Sequence, residues 1–389
     1  MRTFLGTGLL ALCTLSGSPA GAAGAPEPPA EAVVGTLPFE SSNEPNRVMV
    51  NLAPDGSRPF VMMLDTGATD SMITPLMARK LGVSVRKLKD SPYRRATRLG
   101  RDVQFWIDTR RSDVGSSTGF EYGLLGAEFL NDFVVEIDFP GRRVRFLDPK
   151  RYQVPDTVDA PDERALAVTV VSSRLLVPIR VHGRDLSVLL DTGAPDPGIL
   201  SGQAASDAGI DVASLPQFGQ VGTTVGPMQT SLYEAADFSL AGFSLGVVPL
   251  LVAPKGWYNV AGSNDSAIGY DVLAPFLIRI DYPRKRLWLK RLDEKAITFD
   301  GADYALAKQT GVFMSPLPGG YAVWAVTPGS PAQKLGVRVG DVVVSSETAK
   351  APPPDEVLRR IFEGKELQVA RKQGDLWVDT VLPEPPAPD

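Results

Sequence analysis

Phe60-Val61-Met62-Met63-Leu64-Asp65-Thr66-Gly67-Ala68 is answered farther along the chain by Leu186-Ser187-Val188-Leu189-Leu190-Asp191-Thr192-Gly193-Ala194. In each copy an apolar run patterned as a buried strand ends on an acid. A charge delivered that way is costly to bury unless it is hydrogen-bonded or paired, and the second copy suggests the reason: the two acids meet. At average usage of about 5 to 7% per residue, a random chain of this length holds roughly 0.1 Asp-Thr-Gly triplets, so two copies with matching flanks carry weight.

Working outward, Thr74 to Gly82 (TPLMARKLG) reads as a short helix with Thr as N-cap, Pro at its first position and Gly closing it; Ser201 to Gly209 (SGQAASDAG) repeats the plan. The offsets from Asp to closing Gly are 17 and 18 residues (82 minus 65, 209 minus 191). Leu124-Leu125-Gly126 followed by Ile137-Asp138-Phe139-Pro140 is matched by Ala267-Ile268-Gly269 followed by Ile280-Asp281-Tyr282-Pro283. The spacing from Gly to Ile is 11 in both (137 minus 126, 280 minus 269). This is an internal duplication, and it predicts two lobes of one kind.

Over roughly residues 45 to 290 these motifs resemble the retropepsin-like aspartic proteases. The resemblance implies a mainly β fold of two pseudo-twofold-related acid-protease β-barrel lobes, with catalytic Asp65 and Asp191 meeting between them. It assigns Thr66 and Thr192 to hydrogen bonds across the lobe interface, and Leu125-Gly126 and Ile268-Gly269 to support behind the loops. Gly67 and Gly193 are expected to let the backbone pass close beneath the carboxylates in a turn that suits glycine. Two carboxyls held that close share one proton, because like charges repel. One then takes a proton from a bound water while the other polarises a peptide carbonyl. Ala68 and Ala194 stand where pepsin-like relatives often place a hydroxyl that would lower the carboxylate pKa, so activity at mildly acidic pH is expected. Pro195 makes the second loop differ from the first. Flap hairpins are expected within Arg95 to Trp106 and Gly222 to Tyr233.

From the start of the chain, Met1-Arg2, the apolar Phe4 to Leu15 and the small-residue Ser18 to Ala25 form a secretory leader, assigned to residues 1–24, which places the protein in the periplasm or outside the cell. A lipoprotein anchored through Cys13 is the lesser alternative, since Leu12 sits where such signals want a small residue. No later stretch approaches the roughly 20 apolar residues of a spanning helix. Residues 25–44, rich in Pro, Ala and Glu, read as a linker. The first lobe is assigned to residues 45–150 and the second to 151–295, with the polar Pro149 to Arg164 connecting them. Residues 300–384 resemble a PDZ domain on Val326 to Ala332 (VTPGSPA), Leu335-Gly336-Val337 and Gly340-Asp341-Val342; the residues after Pro383 read as a loose end.

The inventory excludes much else. Cys13 is the only cysteine and lies in the leader, and His182 is the only histidine and lies in a predicted turn. A thiol nucleophile, a Ser-His-Asp triad and a Cys- or His-ligated metal site therefore lack parts, and no metal or cofactor is expected. The net charge of -5 gives no basis for a nucleic-acid partner, and of the basic clusters Arg94-Arg95, Arg142-Arg143 and Arg284-Lys285-Arg286 the last two, just after the Ile-Asp-aromatic-Pro motif, read as solvated turns. The expectation is a secreted or periplasmic aspartic endopeptidase acting on peptides or proteins. It would be monomeric because one chain holds both acids, and its PDZ module would capture a chain terminus or β-strand. The alternative is a non-catalytic peptide-binding scaffold on a degenerate protease fold.

Overall fold

The structure, a computed structural model, describes residues 24–40, 46–84, 92–107, 123–194, 197–223, 226–254, 266–292, 308–317, 320–344, 353–373 and 376–383. Residues 1–23 (Cys13 among them), Pro195 and the last six residues lie outside the described residues. The fold is mainly β, built on four sheets.

Two of the sheets carry the Asp-Thr-Gly copies in the same surroundings. In the first, strand Val61–Leu64 pairs antiparallel with Met49–Asn51 on one side and parallel with Gly123–Leu125 on the other. Gly123–Leu125 then pairs with Ser71–Ile73, which runs parallel to Asp102–Ile107. In the second, Arg184–Leu190 lies between Arg174–Val181 and Ala267–Ile268; the latter pairs with Gly198–Leu200, which runs parallel to Phe243–Val252. The short helices follow the sequence signals. Thr74 Oγ1 accepts from Met77 N (3.1 Å) ahead of Pro75–Lys80, and Ser201 Oγ accepts from Ala204 N (3.0 Å) ahead of Gly202–Asp207. Gly82 and Gly209 end them at φ 72° and 86°, where a side chain would be strained.

The third sheet brings the two Ile-Asp-aromatic-Pro hairpins side by side. Its order is Val33–Pro38, Arg143–Leu147, Val134–Asp138, Phe276–Asp281, Arg286–Arg291, Glu163–Ala167, with Ile137 opposite Ile278. Two sequence readings change here. The stretch 25–44, read as a linker, contributes an edge strand, with Leu37 and Phe39 buried and Phe39 set edge-on to Phe139 at 6.2 Å. The connector Pro149 to Arg164 is not simply polar: Tyr152 and Val154 pack with Ala32, Val134, Leu147 and Trp288, and its end opens the strand Glu163–Ala167.

A buried charge network ties this sheet together. Arg279, 1% exposed, donates from Nε to Glu136 Oε2 (2.7 Å), from Nη2 to Glu27 Oε2 (2.8 Å) and from Nη1 to Tyr152 Oη (2.9 Å) and Pro26 O (3.1 Å). Its guanidinium also lies 4.2 Å from the Trp288 ring centroid. Arg145 completes the pairing of Glu136 through Nη2 (2.8 Å). A buried ion is tolerable only when compensated in this way.

The fourth sheet, antiparallel through Val312–Leu317, Gly320–Val326, Val342–Val344, Leu367–Gln373 and Leu376–Leu382, forms the C-terminal domain with helices Pro331–Leu335 and Pro354–Phe362. Asp341 is buried and held by both Nε and Nη2 of Arg371 at 2.7 Å. The core of this domain does not close on itself. Val312, Phe313, Val323 and Leu358 share one apolar cluster with Met228, Leu232, Leu251 and Ala253 of the second sheet. At roughly 1.5–3 kcal/mol per large buried side chain, baring Met228, Leu232 and Leu251 costs about 4.5–9 kcal/mol as an upper estimate. A chain ending at Leu292 should therefore unfold at a lower temperature than the whole protein or aggregate, as read by scanning calorimetry; an unchanged Tm would show that the shared cluster contributes nothing.

Candidate active site

Each Asp-Thr-Gly segment leaves its strand at the same point of the sheet. Asp65 N donates to Leu125 O (3.0 Å) and Asp191 N donates to Ile268 O (3.0 Å), so Leu125 and Ile268, both buried, fix where the acids emerge. Gly126 lies behind the first loop with no room for a side chain, since a Cβ there would fall 2.5 Å from the Asp70 carbonyl carbon. Gly269 N donates to Pro197 O (3.0 Å) behind the second.

The loops are locked reciprocally. Thr66 Oγ1 donates to Leu190 O (2.6 Å) and accepts from Thr192 N (3.1 Å), while Thr192 Oγ1 donates to Leu64 O (2.6 Å) and accepts from Thr66 N (3.2 Å). Both threonines are fully buried. Gly67 N donates to Asp65 Oδ1 (2.9 Å) and Gly193 N to Asp191 Oδ1 (2.8 Å). The glycines are required for space rather than for a left-handed backbone, as neither has positive φ. A Cβ on Gly67 would meet Asp191 Cγ at 2.5 Å, and one on Gly193 would meet Asp65 Cγ at 2.6 Å.

The two carboxyls face each other where the loops meet. Burial, then the charge of Asp191 and its side chain's interaction with Asp65, push Asp65 up to about 8. Burial also raises Asp191, which is partly exposed and is eased back by Gly193 N–H, Asp65, Arg47 and Ala194 N–H. Both carboxyls are thus pushed up, and the pair holds a proton near neutrality.

Two residues at this site were not singled out in the sequence. Arg47 donates through Nη1 to Gly193 O, and its positive charge lowers both dyad carboxyls. The duplication carried the signal. Arg47-Val48-Met49-Val50 is matched by Arg174-Leu175-Leu176-Val177, 18 and 17 residues before the acids (65 minus 47, 191 minus 174). Arg174 is 7% exposed, and its Nε and Nη2 have no hydrogen-bond partner. Glu128, behind the first loop, faces Ser71 without meeting hydrogen-bond geometry, and burial raises it to about 7. Among the described residues no group of three or more His, Cys, Asp or Glu could hold a metal ion.

The parallel pairings settle which hairpins correspond. Asp102–Ile107 matches Phe243–Val252, so the hairpin Tyr93–Ala96 with Asp102–Ile107, read as a flap within Arg95 to Trp106, corresponds to Gly226–Leu240 with Phe243–Val252. The hairpin Gln217–Thr223 with Gly226–Leu240 covers the second predicted flap, Gly222 to Tyr233, while residues 85–91 before Tyr93 lie outside the described residues. His182 is an exposed turn residue at φ 50°, bonded through Nδ1 to Tyr233 Oη (3.0 Å).

A family model described as aspartyl protease matches residues 48–110 and 177–272, one block around each Asp-Thr-Gly. That match supports an aspartic protease fold. A retropepsin-like aspartic protease from Rickettsia conorii aligns at 19% identity and TM-score 0.27, covering 33% of this chain and 90% of its own. Basic 7S globulin from soybean aligns at 13% identity and TM-score 0.36, covering 66% and 95%. Conglutin gamma, a basic 7S globulin from lupine seeds, aligns at 12% and 0.37, covering 66% and 94%. No curated protein matches the chain.

The Asp65 proton is held more tightly folded than unfolded. The stability it contributes is complete below the ordinary carboxyl value of 3.8 and lost as pH rises through about 8. Asp65→Asn should therefore gain Tm relative to the native chain as pH goes from 4 to 8; a gap independent of pH would contradict the assignment. Arg47→Met should move the titration of the Asp carboxyl ¹³C resonances to higher pH, and an unmoved titration would place the arginine outside the dyad's field.

Proposed function

We propose that this chain is an exported aspartic endopeptidase with two pseudo-twofold lobes, hydrolysing peptide bonds through a water activated between Asp65 and Asp191. The observation that carries the reading is the reciprocal threonine lock, which brings two carboxyls together where each excludes a side chain from the opposite loop. In this reading ionised Asp191 takes a proton from the water as its oxygen attacks the peptide carbonyl. Protonated Asp65 gives its proton to the carbonyl oxygen, and collapse of the tetrahedral diol then delivers a proton to the departing amine. The peptidase reading agrees with the family match on both Asp-Thr-Gly blocks.

The C-terminal domain is, on this proposal, a PDZ-like module that receives an extended chain beside a sheet edge. Its Gly340-Asp341-Val342 turn and the Ser330-capped helix Pro331–Leu335 support that identification. The apolar cluster it shares with Met228, Leu232 and Leu251 would hold it in place beside the second lobe. Both acids lie on one chain, so a monomer suffices.

Digestion of a peptide library by residues 25–389 between pH 4 and 8 tests the reading. Cleavage should occur, and Asp65→Asn and Asp191→Asn should each lower it at least about 10²-fold while the circular dichroism spectrum stays native. Either variant cutting at the native rate refutes the dyad. A folded native chain that cuts nothing at any of these pH values favours the peptide-binding scaffold.

A further inference from the structure

We propose that the working protein begins at Ala25 and that Glu163 is a built receptor for the α-ammonium group created when the leader is removed. The inference rests on the reading of residues 1–24 as a cleaved export signal.

The argument starts from a buried carboxylate. Glu163, 3% exposed, accepts from Ala25 N (2.6 Å) and Trp288 Nε1 (2.9 Å) on Oε2, and from Lys290 Nζ (3.1 Å) on Oε1. Burial alone would raise its pKa, but Ala25, Trp288 and Lys290 together hold it below the ordinary carboxylate value. A bond to an ionised carboxylate is short and strong whether the donor is an amide or an ammonium, so the nitrogen of Ala25 already sits where a new α-ammonium would bond to Glu163. The oxygen it touches has only the Trp288 indole as its other donor, because Lys290 is spent on Oε1.

Position 24 is tight: a Cβ there would lie 2.6 Å from Glu163 Oε1, so any residue but glycine would displace that carboxylate. Ala22-Ala23-Gly24 is the run of small residues that a leader-cleaving enzyme requires immediately before its cut. From Ala25 onward the chain is fastened at once. Pro26 O accepts from Arg279 Nη1 (3.1 Å), Glu27 pairs with Arg279 and Arg145, and Ala32 is fully buried. The fold therefore takes hold of the chain at the residue that cleavage after Gly24 would expose. A new α-ammonium there would give Glu163 a second cationic partner and anchor the edge strand Val33–Pro38 on the sheet that joins the two halves.

The test uses the protein expressed from its full coding sequence in a secreting bacterial host. N-terminal sequencing of the exported product should give Ala25 first. A first residue elsewhere between 20 and 24 overturns the inference and leaves export standing, whereas retention of Met1 overturns both. Independently, the chain starting at Ala25 should melt about 3–5 °C above the same chain carrying residues 22–24 ahead of it, and Glu163→Gln should abolish the gap. A gap that survives in Glu163→Gln overturns the receptor role. Should that variant not fold, the native chain still decides: its α-amine should react with an amine-selective reagent at least tenfold more slowly than a free peptide of the same first residues, and equal rates refute the proposal.

Discussion

Two carboxyl groups that repel each other are held together by four hydrogen bonds between Thr66 and Thr192 and the opposite loops. The lock works because every partner is buried and satisfied. Each threonine hydroxyl both donates to a strand-end carbonyl, Leu190 O or Leu64 O, and accepts from the other threonine's N–H. Losing one hydroxyl would orphan a buried carbonyl and a buried N–H at once, at about 1–3 kcal/mol for each group left unpaired. The rest of the first two sheets serves to bring Leu64 and Leu190 to this point in matching register. That is why the strands Gly123–Leu125 and Ala267–Ile268 run parallel to the Asp-bearing strands and cap the acids' own N–H groups.

The sheet shared by both halves is the second coupling, and it is of a different kind. Val134–Asp138 against Phe276–Asp281 contributes backbone pairing, while Glu136, Arg145 and Arg279 place compensated charge across that seam. Such a network is poor evidence of net stability, because desolvation offsets most of its Coulomb energy. Its effect is on uniqueness. A register slip by one residue would turn Glu136 or Arg279 away from its partner and leave an unpaired ion in an apolar layer.

Much of this was legible in the sequence where the signal is local or duplicated. The helix at Pro75–Lys80 announces itself through Thr74, Pro75 and Gly82, and the short turn at His182-Gly183 through its flanking strands. Long-range pairing leaves no such mark. Nothing local distinguishes the hairpin at Tyr93–Ala96 and Asp102–Ile107 from a flap; only the parallel match of Ser71 with Phe105 does. Composition misled at residues 25–44, where Pro and Glu suggest a linker while Leu37 and Phe39 are buried and Glu27 is bound by two arginines. The same bias hid Arg47 and Arg279, since charged residues read as surface until a buried partner is known. Arg47 could have been found, because the repeat that exposed the acids also carries Arg174.

The molecule treats its two buried acid clusters in opposite ways, and the difference separates chemistry from scaffolding. Glu136 receives two guanidinium groups, from Arg145 and Arg279. The dyad receives from its own loops only Gly67 N–H, Gly193 N–H and Ala194 N–H, with Arg47 acting on it as a nearby charge. It is left short of compensation, so Asp65 keeps a proton it would otherwise lose several pH units lower. A donor strong enough to relieve that tension would stabilise the fold and remove the acid that the proposed reaction needs. The tension is sustainable because the threonine lock and the joining sheet keep the loops from separating, which is the one movement that would let both carboxyls ionise.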